Sequence, residues 1–224
     1  MYKRQISFIN AMAELCEATG ADVTQLAEAI GCDDRIGHKF LKAGLGFGGG
    51  CLPKDIRAFM ARAGELGADE ALGFLREVDA INLRRREHVV NLAKAACGGD
   101  VAGHRIAVLG AAFKPDSDDI RDSPALSVAS ALHDLGASVV VTDPAALPNV
   151  QRARPGMAVE ADVLRAVTGA DVVLLLTEWP EYVGLDPEEV GARVARRHII
   201  DARNALDPLR WRAAGWTYRG IGRP

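Results

Sequence analysis

The sequence predicts an α/β protein, with a helical first half leading into a parallel sheet wrapped by helices. Two observations carry this. Apolar residues recur at helical spacing as far as about residue 96. Beyond Gly98-Gly99 the pattern changes to short, nearly continuous apolar runs separated by helical stretches, as in a parallel sheet covered on both faces. The expected division is therefore residues 1–98 and 99–224. The 224 residues, 49% hydrophobic and 25% charged, are enough for one or two domains that each bury a core.

The elements follow in order. Ile6, Ile9, Ala13 and Cys16 share one helix face, and Gly20 ends that run. Asp22 with Gln25 resembles a capping box for a helix from Val23 to Ile30, stopped by Gly31. A glycine-dense loop spans Gly44 to Gly50. Pro53 then suits the first turn of a helix running toward Gly64. A longer helix is expected from about Asp69 to Ala96, with Leu72, Leu75, Val78, Ile81 and Val89 on one side. Its Arg84-Arg85-Arg86 run reads as a solvated face. In the second half, strands are expected at Arg105–Leu109, Ser138–Thr142, Asp171–Thr177 and His198–Asp201, with a last one at Tyr218–Ile221. Helices at Pro124–Leu135, Ala161–Val167 and Pro187–Val194 separate them. Ser123-Pro124 is an N-cap followed by proline at N1, and Gly136 is the stop.

Composition excludes several classes. A net charge of −3 gives no general attraction to nucleic acid or to an anionic membrane. No apolar run approaches the roughly 20 residues of a membrane helix, and no signal-peptide pattern is visible. The four cysteines lack C-x-x-C spacing, which argues against a zinc site and for free thiols in a reducing cytoplasm. Met1 to Gln5 carry neither cap nor apolar pattern. Back-translated from a GTG start, they match a transposon end used in building sequencing libraries. Ile6 is therefore expected to be an internal residue of a longer chain.

Three features bear on chemistry. The first strand runs into Gly110-Ala-Ala-Phe-Lys114, which is not the G-x-G-x-x-G dinucleotide fingerprint. A crevice at the strand ends remains the default ligand site in such a sheet. Asp143 could reach a ribose, but Asp-Pro reads better as a turn. Cys51 follows the glycine loop and opens a helix, where unpaired N–H groups and the helix dipole favour thiolate. Lys54 adds positive charge, and Asp55 lies one turn on, on the same face. A thiolate with a nearby carboxylate suits covalent catalysis followed by hydrolysis. On spacing alone, a buried cysteine beside a surface aspartate is the simpler reading. Cys16, Cys32 and Cys97 read as packing residues.

Gly46-Phe-Gly-Gly-Gly-Cys-Leu-Pro-Lys-Asp55 resembles the G-x-G-G-S-C-x-P-K-D signature of the UDP-glucose/GDP-mannose dehydrogenase family. Further segments resemble it in order: Ile6-Ser-Phe-Ile-Asn10, Arg35-Ile-Gly37, Phe40-Leu-Lys42, Gly110-Ala-Ala-Phe-Lys-Pro-Asp116, Asp118-Asp-Ile-Arg121 and Asp201-Ala-Arg-Asn204. Gly50 stands where the family has serine. The resemblance implies an all-helical central dimerisation domain carrying the catalytic loop, then a Rossmann-like UDP-sugar-binding domain. The family's N-terminal NAD-binding domain, with its own G-x-G-x-x-G unit, is expected upstream of Ile6.

The implied reaction oxidises the sugar C6 alcohol to a carboxylate with two NAD+, UDP-glucose giving UDP-glucuronate. Cys51 would form first a thiohemiacetal and then a thioester, and Asp55 would assist hydrolysis. Lys42, Ala43, Gly44, Leu45, Gly46, Phe47 and Gly48 would offer an ammonium and backbone N–H groups to the nucleotide-sugar. Phe113, Lys114 and Arg203 would hold the UDP side. Arg35 would cross a homodimer, formed by the central helices, to the neighbouring sugar site. Lys54 and Arg121 would meet NAD. Arg35-Ile-Gly37 and Asp118 to Arg121 look most like UDP-glucose enzymes, whereas Leu52 also occurs in GDP-mannose and UDP-N-acetylmannosamine relatives. The chain by itself is expected to bind UDP-sugar and dimerise without turnover.

Overall fold

The computed structural model describes residues 2–224. Helices α1 (Tyr2–Thr19), α2 (Val23–Gly31), α3 (Leu52–Glu65) and α4 (Gly73–Ala96) form the first half. The helix expected from Ile6 begins at Tyr2, so residues 2–5 extend it despite lacking a pattern; Met1 lies outside the described residues. The helix expected from Asp69 begins at Gly73, because Asp69–Leu72 winds as a separate 3-10 turn. Asp22 caps α2 by accepting the Thr24 N–H at 2.8 Å.

The second half is one parallel sheet of six strands in the order β3-β2-β1-β4-β5-β6. These are β1 (Arg105–Leu109), β2 (Ser138–Thr142), β3 (Ala158–Val159), β4 (Val172–Leu175), β5 (His198–Asp201) and β6 (Thr217–Gly220). Helices α5 (Pro124–Asp134), α6 (Leu147–Ala153), α7 (Val163–Val167), α8 (Pro180–Val183), α9 (Pro187–Gly191) and α10 (Pro208–Ala213) connect them. Val108 sits between Val141 and Leu174 in register, and all three are fully buried, which is why these strands read as unbroken apolar runs. Ser123 accepts the Leu126 N–H at 3.3 Å and so caps α5. The strand order reverses between β1 and β4, placing a crevice outside their carboxyl ends. Among the described residues no helix is long and apolar enough to cross a membrane.

The two halves share a core. Ile9, Ala13 and Val23 pack in the same buried cluster as the strands, and the Val23 N–H donates to the Gly222 carbonyl at 2.8 Å. A charged junction lies beside it. Arg85 is 1% exposed and pairs with Glu17 at 3.2 Å. His88 Nε2 lies 3.1 Å from the same carboxylate, which also accepts the Gly222 N–H at 2.8 Å. Arg86 is buried too, donating to Asp122 at 2.8 Å. The Arg84-Arg85-Arg86 run is thus no solvated face. Only Arg84 faces out, because the acids that pair with its neighbours come from α1 and the 113–123 segment, distant in sequence.

Burial pushes the Glu17 carboxyl up, but the His88 hydrogen bond and the Arg85 charge outweigh it and hold the group at about 2. Its folded value lies below its ordinary 4.5, so the stabilisation is present above pH 4.5 and lost as pH falls toward 2. Glu17→Gln is expected to cost about 2 kcal/mol at neutral pH, after a discount for partial solvent screening. It should also flatten the acid limb of the stability curve. Denaturant titrations at a series of pH values check this, with Glu65→Gln on the exposed Arg62 pair as the neutral control.

Candidate active site

The glycine loop is fixed by polar groups from four directions. The Gly44 N–H donates to Asn10 Oδ1 on α1 at 2.9 Å, and the Leu45 N–H to the Ala202 carbonyl beyond β5 at 3.1 Å. Asn82 on α4 clamps Phe47, accepting its N–H at 2.6 Å and donating to its carbonyl at 2.9 Å. The Gly49 N–H donates to the Arg121 carbonyl at 3.0 Å. Two glycines are demanded by this packing. Gly46 has φ +100°, and a Cβ there would lie 2.4 Å from Asn82 Oδ1. At Gly48 a Cβ would lie 2.3 Å from the Asp122 carbonyl oxygen and 2.6 Å from Pro124 Cδ.

Asn10 and Asn82 were not foreseen as site residues. Both are buried at 1% exposure and lie on the apolar stripes of their helices, four residues after Ile6 and Val78. A polar amide on such a stripe is the signal that could have found them. The loop's N–H groups at Gly44, Leu45 and Phe47 are consumed internally rather than offered to a ligand. Leu45 itself is fully buried.

The segment after β1 is pinned by Asp143. Its Oδ2 accepts the Ala111 and Ala112 N–H groups at 2.7 and 3.0 Å, and its Oδ1 accepts those of Ala145 and Ala146 at 2.9 and 2.8 Å. The turn reading of Asp143 therefore covered only one carboxylate oxygen. The other shapes the crevice wall. Thr177 adds a bond to the Ala112 carbonyl at 2.7 Å.

Between this wall and the glycine loop lies a cavity of about 640 Å³, lined among others by Asn10, Lys42, Phe47, Phe113, Lys114 and Arg203. Ala43, Gly44, Gly46 and Gly48 also line it. It occupies the crevice where the strand order reverses. Arg203 Nε donates to the Leu176 carbonyl at 2.7 Å and pairs with Glu178 at 3.2 Å. Its Nη2 is buried and has no hydrogen-bond partner among the described residues. Burial pushes this guanidinium down, opposed by Glu178 and Asp201.

Cys51 is exposed at the N-cap position of α3 and makes no side-chain cap bond. It does not itself line the cavity, but it immediately precedes the lining residue Leu52. Asp55 is exposed in the first turn, and its N–H donates to the Cys51 carbonyl at 2.9 Å. Arg121 leans over Gly50, where a Cβ would lie 2.5 Å from its Cζ. Asp119 holds that guanidinium from Nε and Nη2 at 3.0 and 2.7 Å. Lys54 is exposed on α3 and does not line the cavity. Arg35 also stands apart from it, 88% exposed and paired with Asp33 at 2.6 Å.

Comparisons with known proteins bear on the family and the fold. The profile of the UDP-glucose/GDP-mannose dehydrogenase family, central domain, matches residues 1–84, and that of the family's UDP binding domain matches residues 107–208. The chain is 40% identical over 220 residues to a UDP-glucose 6-dehydrogenase of Rhizobium meliloti, covering 98% of this chain and 50% of that protein. It is 42% identical over 222 residues to UDP-glucose 6-dehydrogenase TuaD of Bacillus subtilis, covering 98% and 47%. A solved UDP-glucose dehydrogenase from Pyrobaculum islandicum superposes with a TM-score of 0.86 at 33% identity, covering 100% of this chain and 49% of that one. The chain thus spans about half the length of the curated relatives it matches. The chain belongs to the UDP-glucose/GDP-mannose dehydrogenase family.

Proposed function

We propose that this chain carries the nucleotide-sugar site and the nucleophile of an NAD-dependent UDP-glucose 6-dehydrogenase. One observation carries the reading furthest: the buried Nη2 of half-buried Arg203, which has no hydrogen-bond partner among the described residues, on the wall of a cavity that also presents Lys42 and Lys114. A buried cation with a spare N–H is costly unless an anion completes it. A diphosphate is such an anion, and the Phe47 and Phe113 rings suit a flat base or a sugar face.

Cys51 attacks the C6 carbonyl carbon after the alcohol is oxidised, and its proton passes to solvent or to Asp55. The sulfur then holds that carbon through the second oxidation, as thiohemiacetal and then as thioester. Asp55, one helical turn below, orients and deprotonates the water that frees the carboxylate. Cys51 is then released as the leaving thiolate, at the first turn of α3 and next to Gly50, over which Arg121 leans. For the cofactor, the exposed face of Arg121 and nearby Lys54 fit a pyrophosphate beside the thiol. NAD+ when bound supplies the hydride acceptor for both oxidations. Phe8, Leu15, Phe59, Phe74 and Leu83 lie exposed on α1, α3 and α4, which supports pairing of the helical halves in a homodimer.

Calorimetry with UDP tests the site. The chain is expected to bind UDP, with affinity at least about tenfold weaker in Lys114→Ala, as loss of a charge-assisted contact implies. Cys51→Ala should leave UDP affinity unchanged. Affinity unchanged from that of the parent chain in both Lys114→Ala and Lys42→Ala would remove the basis of the assignment. The chain alone is expected to bind without producing NADH from UDP-glucose and NAD+.

A further inference from the structure

We propose that Glu28, Cys32 and His38 form a surface site for a borderline-soft divalent cation, specifically Zn2+. The proposal stands on their geometry and is independent of the proposed function. Glu28 and Cys32 are one helical turn apart at the end of α2, where the Cys32 N–H donates to the Glu28 carbonyl at 3.2 Å. The chain then folds back. Both the Ile36 and Gly37 N–H groups donate to the Asp33 carbonyl at 2.9 Å, and Gly37 at φ +69° turns His38 toward the helix.

The imidazole seats directly on Gly31, where a Cβ would lie 2.2 Å from His38 Nδ1. The glycine that ends α2 is thus also the space the ring occupies. His38 Nδ1 lies 3.5 Å from Glu28 Oε2, and the carboxylate, thiol and imidazole ligand atoms all fall within 4.8 Å of one another.

The donor set decides the ion. Thiolate and imidazole select zinc-like cations, whereas Mg2+ and Ca2+ take oxygen ligands. Ligands at about 2.0–2.3 Å around a tetrahedral ion stand roughly 3.3–3.7 Å apart, so the three need draw together by only about 1 Å. Glu28 and His38 side chains are 75% and 56% exposed, and Cys32 is exposed, so that adjustment meets little packing resistance. Three protein ligands leave the fourth position to water or an outside donor. The ion would tie the end of α2 to the segment that leads into Lys42, and His38 itself lines the candidate cavity.

The test uses the 224-residue chain, reduced and stripped with chelator. Zn2+ affinity is read by competition with a chromophoric chelator, and Co2+ is added separately as a spectroscopic probe. The expected result is one Zn2+ per chain at this site and a thiolate-to-cobalt charge-transfer band. Cys32→Ser should abolish the band, and Cys32→Ser and His38→Ala should each weaken Zn2+ by at least about 100-fold, since loss even of outer-shell support costs 10–100-fold. Cys51→Ser should change neither reading. All three ligands are exposed, so the metal-free variants should melt with the parent chain. A band that survives Cys32→Ser, a band lost in Cys51→Ser, or unchanged Zn2+ affinity in His38→Ala would each overturn the site. The trio would then be a surface His–Glu pair beside a thiol.

Discussion

Cys51→Ser, placed in a full-length dehydrogenase containing this chain, is expected to lower UDP-glucuronate formation by at least about 1,000-fold. A serine hydroxyl is not ionised near neutral pH, and an alkoxide leaves far less readily than a thiolate. Both failings strike the same carbon, once when the adduct forms and once when it is released. Binding should be spared, because Cys51 does not itself line the cavity, whereas Lys42, Lys114 and Arg203 do. Asp55→Asn is expected to act later in the cycle. The thiol remains, but the water loses its base, so the thioester should accumulate. Mass spectrometry of the Asp55→Asn enzyme after exposure to UDP-glucose and NAD+ should show the adduct on the peptide containing Cys51. Normal turnover in Cys51→Ser, with no such adduct, would remove the covalent role from Cys51 and leave it an exposed surface thiol.

Gly48→Ala is expected to damage both the fold and the site. Its Cβ would meet the Asp122 carbonyl oxygen at 2.3 Å and Pro124 Cδ at 2.6 Å. Neither can swing aside like a side-chain tip: one belongs to the backbone and the other to a ring at the first turn of α5. Asp122 is further tied by Arg86 and Arg57 at 2.8 and 3.2 Å. Relief must therefore come from moving the glycine loop away from the sheet, at a cost of about 2–4 kcal/mol. In a chain of this size that lowers Tm by roughly 5–15 °C. UDP affinity should fall with it, since the loop forms one wall of the cavity. Gly156→Ala is the control, because a Cβ there meets nothing within 4 Å. A Gly48→Ala melt equal to that of Gly156→Ala would show that the loop is loosely held.

Much of this architecture was legible because burial writes itself into the chain. β1, β2, β4 and β5 are covered on both faces, so their central positions are apolar, with polar residues only at strand ends, and the runs stand out. β3 has only two residues, and α6, α8 and α10 have seven, four and six, too few to establish a period. The arginines of α4 were misread for a different reason. A run of like charges looks solvated until its partners are known, and Glu17 and Asp122 reach Arg85 and Arg86 from 68 and 36 residues away. The glycine loop and Cys51 were visible as motifs. What secures that loop, Asn10 and Asn82, was overlooked, although each amide sits on the apolar stripe of its helix, because the backbone groups it clamps lie 34 and 35 residues away in sequence. The proposed zinc trio was read away because its cysteine lacks C-x-x-C spacing, and His38 meets Glu28 and Cys32 only once the chain has folded back past Gly31 and Gly37.

The central claim is that the nucleotide-sugar cavity adjoins a reactive Cys51, and selective alkylation tests it most directly. Cys16 and Cys97 are buried, and burial pushes both thiols up, so both should react slowly. Cys51 and Cys32 are both exposed, which makes Cys32 an internal reference in the same molecule. Iodoacetamide labelling of each peptide is followed with and without UDP-glucose, in chelator, at concentrations where calorimetry shows the site filled. The expected result is that UDP-glucose slows Cys51 labelling by at least about tenfold, as the sugar covers the cavity's edge, while Cys32 labels at an unchanged rate. Equal Cys51 rates with the site empty and filled would contradict the account, because the bound sugar would then lie away from the thiol meant to attack it.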